Sequence, residues 1–233
     1  MLQVEGLQAR YGRAQVLHGI SLQVAAGEVL CLLGRNGAGK STTMKSIMGL
    51  VPPSAGRVMF DGRPLAGLAP HEIARAGLGY VPDERRIFTE LTVEENLEVG
   101  RRPAPPGRTD WTAERAYTLF PVLGEMRRRP GGRMSGGEQQ MLAVARTLMG
   151  NPRLLLLDEP SEGLSPVIVQ RMAEAVMALK REGLPILLSE QNLRFAASVA
   201  DRACLIESGE LRHTGGMAAL MADADLRKRY LSV

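Results

Sequence analysis

Long apolar runs are missing from this sequence, and cysteine is scarce. The apolar runs are short, as in LLLL at 154–157, whereas a helix that spans a membrane needs about 20 residues. The N-terminus lacks a basic segment followed by an apolar one, so we expect no secretory signal. The two cysteines, Cys31 and Cys204, lie in apolar segments without a metal-binding spacing, which favours small core residues in a reducing compartment. These absences predict a cytoplasmic protein whose membrane role would depend on a partner.

An excess of one charge is also missing. The 29 lysines and arginines nearly balance the 25 aspartates and glutamates, which leaves a formal net charge of +4. The arginine clusters at 85–86, 101–102 and 127–129 are short, which is typical of a solvated face. We therefore expect no nucleic-acid partner. With 233 residues, 45% of them hydrophobic, the chain can form one large domain or a core with a smaller lobe.

Strands alternate with helices along most of the chain. Apolar runs typical of buried strands, such as EVLCLLG at 28–34 and RLLLLDEP at 153–160, are followed by helical segments. This alternation predicts an α/β fold with a mainly parallel sheet. Two β-rich runs punctuated by glycine at the N-terminus predict an additional antiparallel portion. The stretch GRVMFDGRPL predicts a strand, a turn at Asp61 and Gly62, and a second strand.

The middle of the chain has a different, mainly helical character. TVEENLEVG is helical, RRPAPPGRTD is a loop rich in proline and glycine, and WTAERAYTLFPVLGEM is helical with a break at Pro121. We therefore predict one domain over residues 1–233. Residues 1–83 and 151–233 form its core, and residues 84–150 form an inserted helical lobe.

The stretch GRNGAGKS, Gly34 to Ser41, follows a predicted strand and begins a predicted helix. Its glycines allow backbone N–H groups to surround a polyphosphate, Lys40 can reach the β- and γ-phosphates, and the Ser41 hydroxyl can bind Mg²⁺. The alternative, without any phosphate binding, is an ordinary glycine-rich turn. The predicted nucleotide contacts are Gly34, Arg35, Asn36, Gly37, Ala38, Gly39, Lys40, Ser41 and Thr42.

The apolar strand LLLLDEP ends in two acids, Asp158 and Glu159. We predict that Asp158 lies next to the Mg²⁺, and that Glu159, on the opposite side of the strand's pleat, orients or deprotonates a water that attacks the γ-phosphate. By itself such an ending could also be an ordinary surface terminus. The phosphate loop earlier in the chain favours the functional interpretation.

A second candidate anion site lies in GGRMSGGEQQMLAVARTL, from Gly131 to Leu148. Ser135 is a natural N-cap for the helix that follows, yet Gly136 and Gly137 are poor helix formers. Bare N–H groups at a helix N-terminus suit an anion. The sequence therefore contains two candidate phosphate-binding segments about a hundred residues apart.

Together these motifs resemble those of the ATP-binding cassette (ABC) ATPases over essentially the whole chain. RMSGGEQQ is similar to the family signature LSGGQ, with Met134 for Leu and Glu138 for Gln. The resemblance implies the ABC ATPase fold, a P-loop NTPase core, and ATP as the nucleotide. It also implies head-to-tail dimers, in which Ser135, Gly136, Gly137 and Glu138 of one subunit close on the γ-phosphate held by the other. The dimer partner would be a second copy or a sister ATPase.

The resemblance also assigns isolated positions. Tyr11 resembles the aromatic residue that stacks on adenine. Asp83 stands where most members have a Gln that contacts Mg²⁺, and Gln191 stands where most have a switch His. Ser165 replaces the Asp usual in the loop after the catalytic Glu. The catalytic set is thus Glu159, Gln191 and Lys40, and the metal set is Ser41, Asp158 and Asp83.

Four stretches resemble one subgroup, the second ATPase subunit of importers for branched-chain amino acids. These stretches are VPDERRIF…LTVEENL, MSGGEQQMLAVARTLM, DEPSEGLSP and SEQN. This resemblance implies two permease subunits, one docking its helix near residues 84–102, with a periplasmic solute-binding protein acting indirectly. The ATPase would lie at the cytoplasmic face of the inner membrane. The alternatives are an importer of urea or short-chain amides, an exporter of lipid or polysaccharide, and a soluble ABC protein acting on nucleic acid.

Overall fold

The computed structural model describes residues 1–105, 107 and 109–231. Its strands are β1 (Leu2–Tyr11), β2 (Ala14–Val24), β3 (Val29–Leu33), β4 (Pro53–Phe60), β5 (Arg63–Pro64), β6 (Leu78–Val81), β7 (Leu154–Asp158), β8 (Ile186–Glu190), β9 (Arg202–Glu207) and β10 (Glu210–Gly216). Its helices are α1 (Lys40–Ile47), α2 (Pro70–Arg75), α3 (Val93–Gly100), α4 (Ala113–Leu119), α5 (Pro121–Glu125), α6 (Gly136–Leu148), α7 (Pro166–Arg181), α8 (Leu193–Val199), α9 (Met217–Ala222) and α10 (Ala224–Leu231). Residues 106 and 108 of the predicted loop, and 232 and 233 of the predicted core, lie outside the described residues.

The strands form two sheets, one antiparallel and one mainly parallel. The first is antiparallel in the order β2-β1-β4-β5. The second has the order β10-β9-β3-β8-β7-β6, and all its pairs are parallel except β9 with β10. The predicted turn between β4 and β5 is confirmed, because Asp61 and Gly62 both have a positive φ, 48° and 74°. The α/β fold with an N-terminal antiparallel part is therefore confirmed.

The parallel sheet separates two apolar cores. Every residue of β3, β7 and β8 is buried, as expected for parallel strands covered on both faces. Alternate side chains point to opposite faces. Leu30 and Leu32 therefore pack with Met44 and Ile47 of α1, whereas residues such as Leu33 belong to the core that contains α6, α7 and α8. Both cysteines are buried and unpaired, in agreement with the interpretation as core residues.

Helices α3 to α6 occupy the predicted helical segment. The predicted break at Pro121 separates α4 from α5, and Pro121 is the first residue of α5. Buried Asn96 of α3 fixes the preceding turn, because its amide donates to the carbonyls of Phe88, Leu91 and Thr92 while its oxygen accepts from Phe88 N. Residues of α6 share one apolar core with β7 and β8. That residues 84–150 form a separate lobe with these boundaries remains a prediction.

Three short helices, α2, α9 and α10, have no counterpart in the sequence prediction. Each has six to eight residues, and helices of this length depend on tertiary packing more than on their own propensity. Buried Ile73 anchors α2, and buried Met217 and Leu220 anchor α9. Within the described ranges, no helix is long and apolar enough to cross a membrane.

Candidate functional site

Three segments of the candidate site leave the same edge of the parallel sheet. The chain turns from β3 into the loop at 34–39, from β7 into Glu159, and from β8 into Gln191. Because β8 lies between β3 and β7 and is parallel to both, these carboxyl ends are neighbours. Crevices at this edge of an open α/β sheet are common ligand sites.

The loop at 34–39 has a backbone that only glycine adopts easily. Gly37 and Gly39 have φ of 78° and 110°, and a Cβ on Gly34 would lie 2.4 Å from the carbonyl oxygen of Ile206. The predicted contacts Arg35 and Asn36 are exposed. Gly37 is also exposed, and Ser41 is half-buried. The remaining predicted contacts are buried, and they are Gly34, Ala38, Gly39, Lys40 and Thr42.

Lys40 is the first residue of α1 and is only 3% exposed. Its Nζ donates to the carbonyl oxygens of Gly34, at 2.8 Å, and Arg35, at 3.0 Å. It also forms an ion pair of 2.9 Å with the carboxylate of Glu159. A buried ammonium is costly unless it is paired and hydrogen-bonded, and these partners supply both requirements. Lys40 and Glu159, each predicted separately as a site residue, are therefore in direct contact.

Asp158 is fully buried at the end of β7 and accepts three hydroxyl hydrogen bonds. Ser41 Oγ, at 3.0 Å, and Ser189 Oγ, at 2.5 Å, donate to one carboxylate oxygen, and Tyr80 OH donates to the other at 3.0 Å. Burial raises the pKa of Asp158 above its ordinary value, although the three hydroxyls oppose this shift. Burial also raises the pKa of Tyr80, and the neighbouring Asp158 charge raises it further.

The contact between Ser41 and Asp158 fits a magnesium ion. A hydroxyl and a carboxylate are hard oxygen donors, which Mg²⁺ prefers, and it commonly uses one or two carboxylates together with substrate phosphates and water. The third predicted metal ligand, Asp83, is exposed on the loop after β6. Burial is the larger cause of the raised pKa of Asp158 and Tyr80, and the charge of Asp83 adds to both shifts.

Glu159 reaches Lys40 in a way that the strand pattern did not predict. The pleat predicted Glu159 on the face opposite to Asp158, but β7 ends at Asp158 and Glu159 has a left-handed φ of 48°. Its N–H donates to the carbonyl and the hydroxyl of Ser189, each at 3.1 Å, which stabilises this turn. Glu162 lies beside it, and a hydrogen bond with Glu159 raises the pKa of the Glu162 carboxyl.

Glu190 belongs to this site although no sequence motif assigns it a role. It ends β8, is 2% exposed, and accepts hydrogen bonds from the N–H groups of Ser161, Gln191 and Asn192. The predicted Gln191 itself has an exposed side chain. The sequence contains one signal for this residue, since Glu190 closes the apolar run ILLSE. An acid in such a strand is seldom buried unless it has partners.

Tyr11 is the last residue of β1, and half of its surface is exposed. It lies at the turn into β2, which Ala14 begins. Further along β2, Leu17 lies close to the phosphate loop. A Cβ added to Gly39 would lie 2.9 Å from the Leu17 side chain. Tyr11 thus belongs to the hairpin that flanks this loop.

The second candidate anion site begins α6, and its predicted N-cap is confirmed. Ser135 Oγ accepts from Glu138 N at 3.3 Å, and the Glu138 carboxylate accepts from Ser135 N at 2.7 Å, which makes a capping box. Both glycines are also constrained within the chain. A Cβ on Gly136 would lie 2.8 Å from Arg85 Nη1, and one on Gly137 would lie 2.9 Å from Ile168 Cγ1. No pattern in the sequence predicts these intramolecular contacts.

The chain is similar to several known proteins over nearly its whole length. The family model described as ABC transporter matches residues 17–162. The high-affinity branched-chain amino acid transport ATP-binding protein BraG of Pseudomonas aeruginosa is 42% identical over 231 residues, 99% of each chain. The lipopolysaccharide export system ATP-binding protein LptB of Haemophilus influenzae is 34% identical over 99% of this chain and 97% of its own. The crystal structure of an ATP-binding cassette of an ABC transporter in its ADP conformation has a TM-score of 0.82 at 25% identity, over 98% of this chain and 97% of that chain.

The two glycines of α6 are expected to differ in their tolerance of alanine. Gly137→Ala brings a methyl group against β-branched Ile168 on α7, so we expect the free energy of unfolding to fall by about 1–3 kcal/mol, the usual cost of overpacking. Gly136→Ala is the matched control, because the flexible end of Arg85 can move away. We expect this control to lie within about 1 kcal/mol of the parent, the helix-propensity difference. Urea denaturation measures both, and equal losses would contradict the assignment.

Proposed function

The chain belongs to the ABC transporter family, and from this premise we propose that it couples ATP hydrolysis to the import of branched-chain amino acids. It is a transport ATPase that binds ATP. The observation that carries the proposed solute is the 42% identity to BraG over 99% of both chains, compared with 34% to the lipopolysaccharide export protein LptB.

In the proposed mechanism, the phosphates of ATP replace Glu159 as the partner of Lys40. The ion pair between them, at 2.9 Å, places an acid within reach of the position that a phosphate would take. Phosphate oxygens can accept from Lys40 and from N–H groups of the loop at 34–39. Once separated from Lys40, the Glu159 carboxylate can accept a proton from water. Replacement of Glu159 by a phosphate at Lys40 would thus bind the substrate and also release the Glu159 carboxylate to act as the base.

Ser41 and Asp158 are the residues that would hold Mg²⁺, with Asp83 nearby. When bound, this ion neutralises charge on the β- and γ-phosphates. The Ser41 hydroxyl donates its proton to Asp158, so the lone pairs of its oxygen would be available to the ion. Tyr80 and Ser189 remain donors to Asp158 and keep the carboxylate in position.

Glu159 is the proposed general base, and Gln191 the proposed γ-phosphate contact. The exposed amide of Gln191 can donate a hydrogen bond to a phosphate oxygen but cannot transfer a proton as histidine can. Glu159 is therefore the residue that would accept the proton from the attacking water, without help from Gln191. Tyr11, at its exposed position, is the proposed surface for adenine stacking.

The site is proposed to be complete only in a dimer. The capped N-terminus of α6, with Ser135 and the two glycines after it, would face the γ-phosphate held by a second ATPase subunit, either another copy or a sister chain. Favourable backbone N–H groups and the helix dipole suit this role. ATP would then favour the closed dimer through its higher affinity for that state.

Membrane association is proposed to depend on permease subunits. A depression of about 400 Å³ is lined in part by Arg86, Phe88, Val99 and Arg146. Phe88 and Val99 are 47% and 58% exposed, and Arg146 stacks on the Phe88 ring at 5.0 Å. This mixed apolar and basic surface suits a permease helix. It would hold the ATPase at the cytoplasmic face, with a periplasmic binding protein acting through two permeases.

Replacing the proposed base should separate ATP binding from hydrolysis. For Glu159→Gln, with the permease present, we expect kcat to fall at least ~100-fold, because general-base catalysis contributes that much. ATP should still bind at Lys40 and should accumulate in a dimer, measured by filtration with labelled ATP. Glu174→Gln, on the exposed face of α7, is the control and should keep the parental kcat. Unchanged turnover in Glu159→Gln would refute the assigned role.

The dimer interpretation can be tested with two N-cap residues of equal size. In the Glu159→Gln background, Ser135→Asn and Ser135→Asp should both cap α6, but only Asp places a negative charge where the second subunit's phosphate approaches. We expect Asp to raise the dissociation constant of the ATP-bound dimer at least ~10-fold above that of Asn, equivalent to about 1.4 kcal/mol. Both should bind ATP as monomers. Equal dimer stability would exclude a phosphate contact at Ser135.

Uptake measurements in a deletion strain test the proposed solute. We expect loss of this chain to lower uptake of labelled leucine, without changing uptake of labelled urea or export of lipopolysaccharide. The parent chain should restore leucine uptake, and Lys40→Ala should not. If urea uptake or export fails while leucine uptake remains normal, the proposed solute is wrong.

A further inference from the structure

Glu190 is a buried acid to which the proposed hydrolysis assigns no task. It is 2% exposed, at the end of a central strand. A buried carboxylate is costly unless hydrogen-bond donors surround it. Its donors therefore show what holds this group in place, and all of them come from loops of the candidate site.

The two oxygens of Glu190 bind different loops. Oε1 accepts from Ser161 N at 3.0 Å, two residues after the proposed base. Oε2 accepts from Gln191 N at 3.2 Å and Asn192 N at 3.1 Å. One carboxylate thus connects the loop that follows β7 to the loop that carries Gln191.

The backbone of the same residue contacts the phosphate loop. Gly34 N donates to the carbonyl oxygen of Glu190 at 3.4 Å. The preceding residue, Ser189, donates to Asp158 and accepts from Glu159 N. Residues 189–190 therefore contact all three segments that leave this edge of the sheet.

A carboxylate can accept from both loops at once, one with each oxygen. An ionised Glu has two oxygens that accept, whereas Gln has one oxygen and an NH₂ group that only donates. Gln at this position would place its NH₂ against N–H donors of one loop or the other. Its size is nearly unchanged, so the substitution alters hydrogen bonding with little change in packing.

We propose that Glu190 is a positioning residue that holds Gln191 and the loop at 159–165 in fixed relation, so that the two loops move together when ATP binds. This inference rests on the proposed function, since it concerns the geometry of γ-phosphate hydrolysis. Ser165, at the far end of the loop, is the N-cap of α7. A movement of Gln191 in response to the γ-phosphate would thus also move the start of α7.

The first test separates turnover from substrate binding. For Glu190→Gln we expect kcat to fall about 10- to 100-fold, the range produced by small misplacement of reacting groups, with KM for ATP within about two-fold of the parent, since the cradle around Lys40 is intact. Glu207→Gln is the matched control, because Glu207 also ends a strand, β9, but is exposed. A purely structural role would lower the melting temperature while leaving kcat per folded molecule unchanged, and this result would overturn the proposal.

The second test uses the unmodified chain and holds even if Glu190→Gln fails to fold. Hydrogen exchange is followed in peptides covering 159–165 and 190–195, with and without a non-hydrolysable ATP analogue. We expect the analogue to slow exchange in both peptides together. Slowing in only one of them would overturn the coupling. Failure of the parent chain to bind ATP would instead refute the proposed function, so the two failures are distinguishable.

Discussion

The candidate site depends on the parallel pairing of β8 with β3 on one side and β7 on the other. In this register Leu33 is opposite Glu190, and Asp158 is opposite Ser189. The phosphate loop, the two acids at the end of β7 and the loop of Gln191 therefore begin at one level. A shift of one residue would turn the side chains at these strand ends to the opposite face. Burial of all three strands in apolar cores stabilises this register.

Charges buried at this edge have specific partners. Lys40 is paired with Glu159, Asp158 with hydroxyl donors, and Glu190 with backbone N–H groups. Because an unpaired charge in such a place is expensive, each partner can be exchanged only for another of matching charge or polarity. A phosphate meets this condition for Lys40. The partners that stabilise the fold therefore also select the kind of ligand that the site can accept.

Glycines at the start of α6 show why a motif can be recognised correctly and explained incompletely. The sequence predicted the helix, its Ser135 cap and a preference for an anion, all of which depend on neighbouring residues. The close approach of Arg85 to Gly136 and of Ile168 to Gly137 involves segments 51 and 31 residues away. No local pattern contains that information, so the sequence relates these glycines only to a partner molecule.

The sequence by itself determined the succession of strands and of the helices other than α2, α9 and α10, the phosphate loop, and the acids at 158 and 159. Local spacing is sufficient for these, since glycine conformation, capping and apolar periodicity act over a few residues. Only the tertiary structure decided that Glu159 turns toward Lys40 and that Glu190 joins two loops. These contacts depend on which strands are neighbours and on where β7 ends. The sheet brings together residues that lie more than a hundred positions apart in the chain.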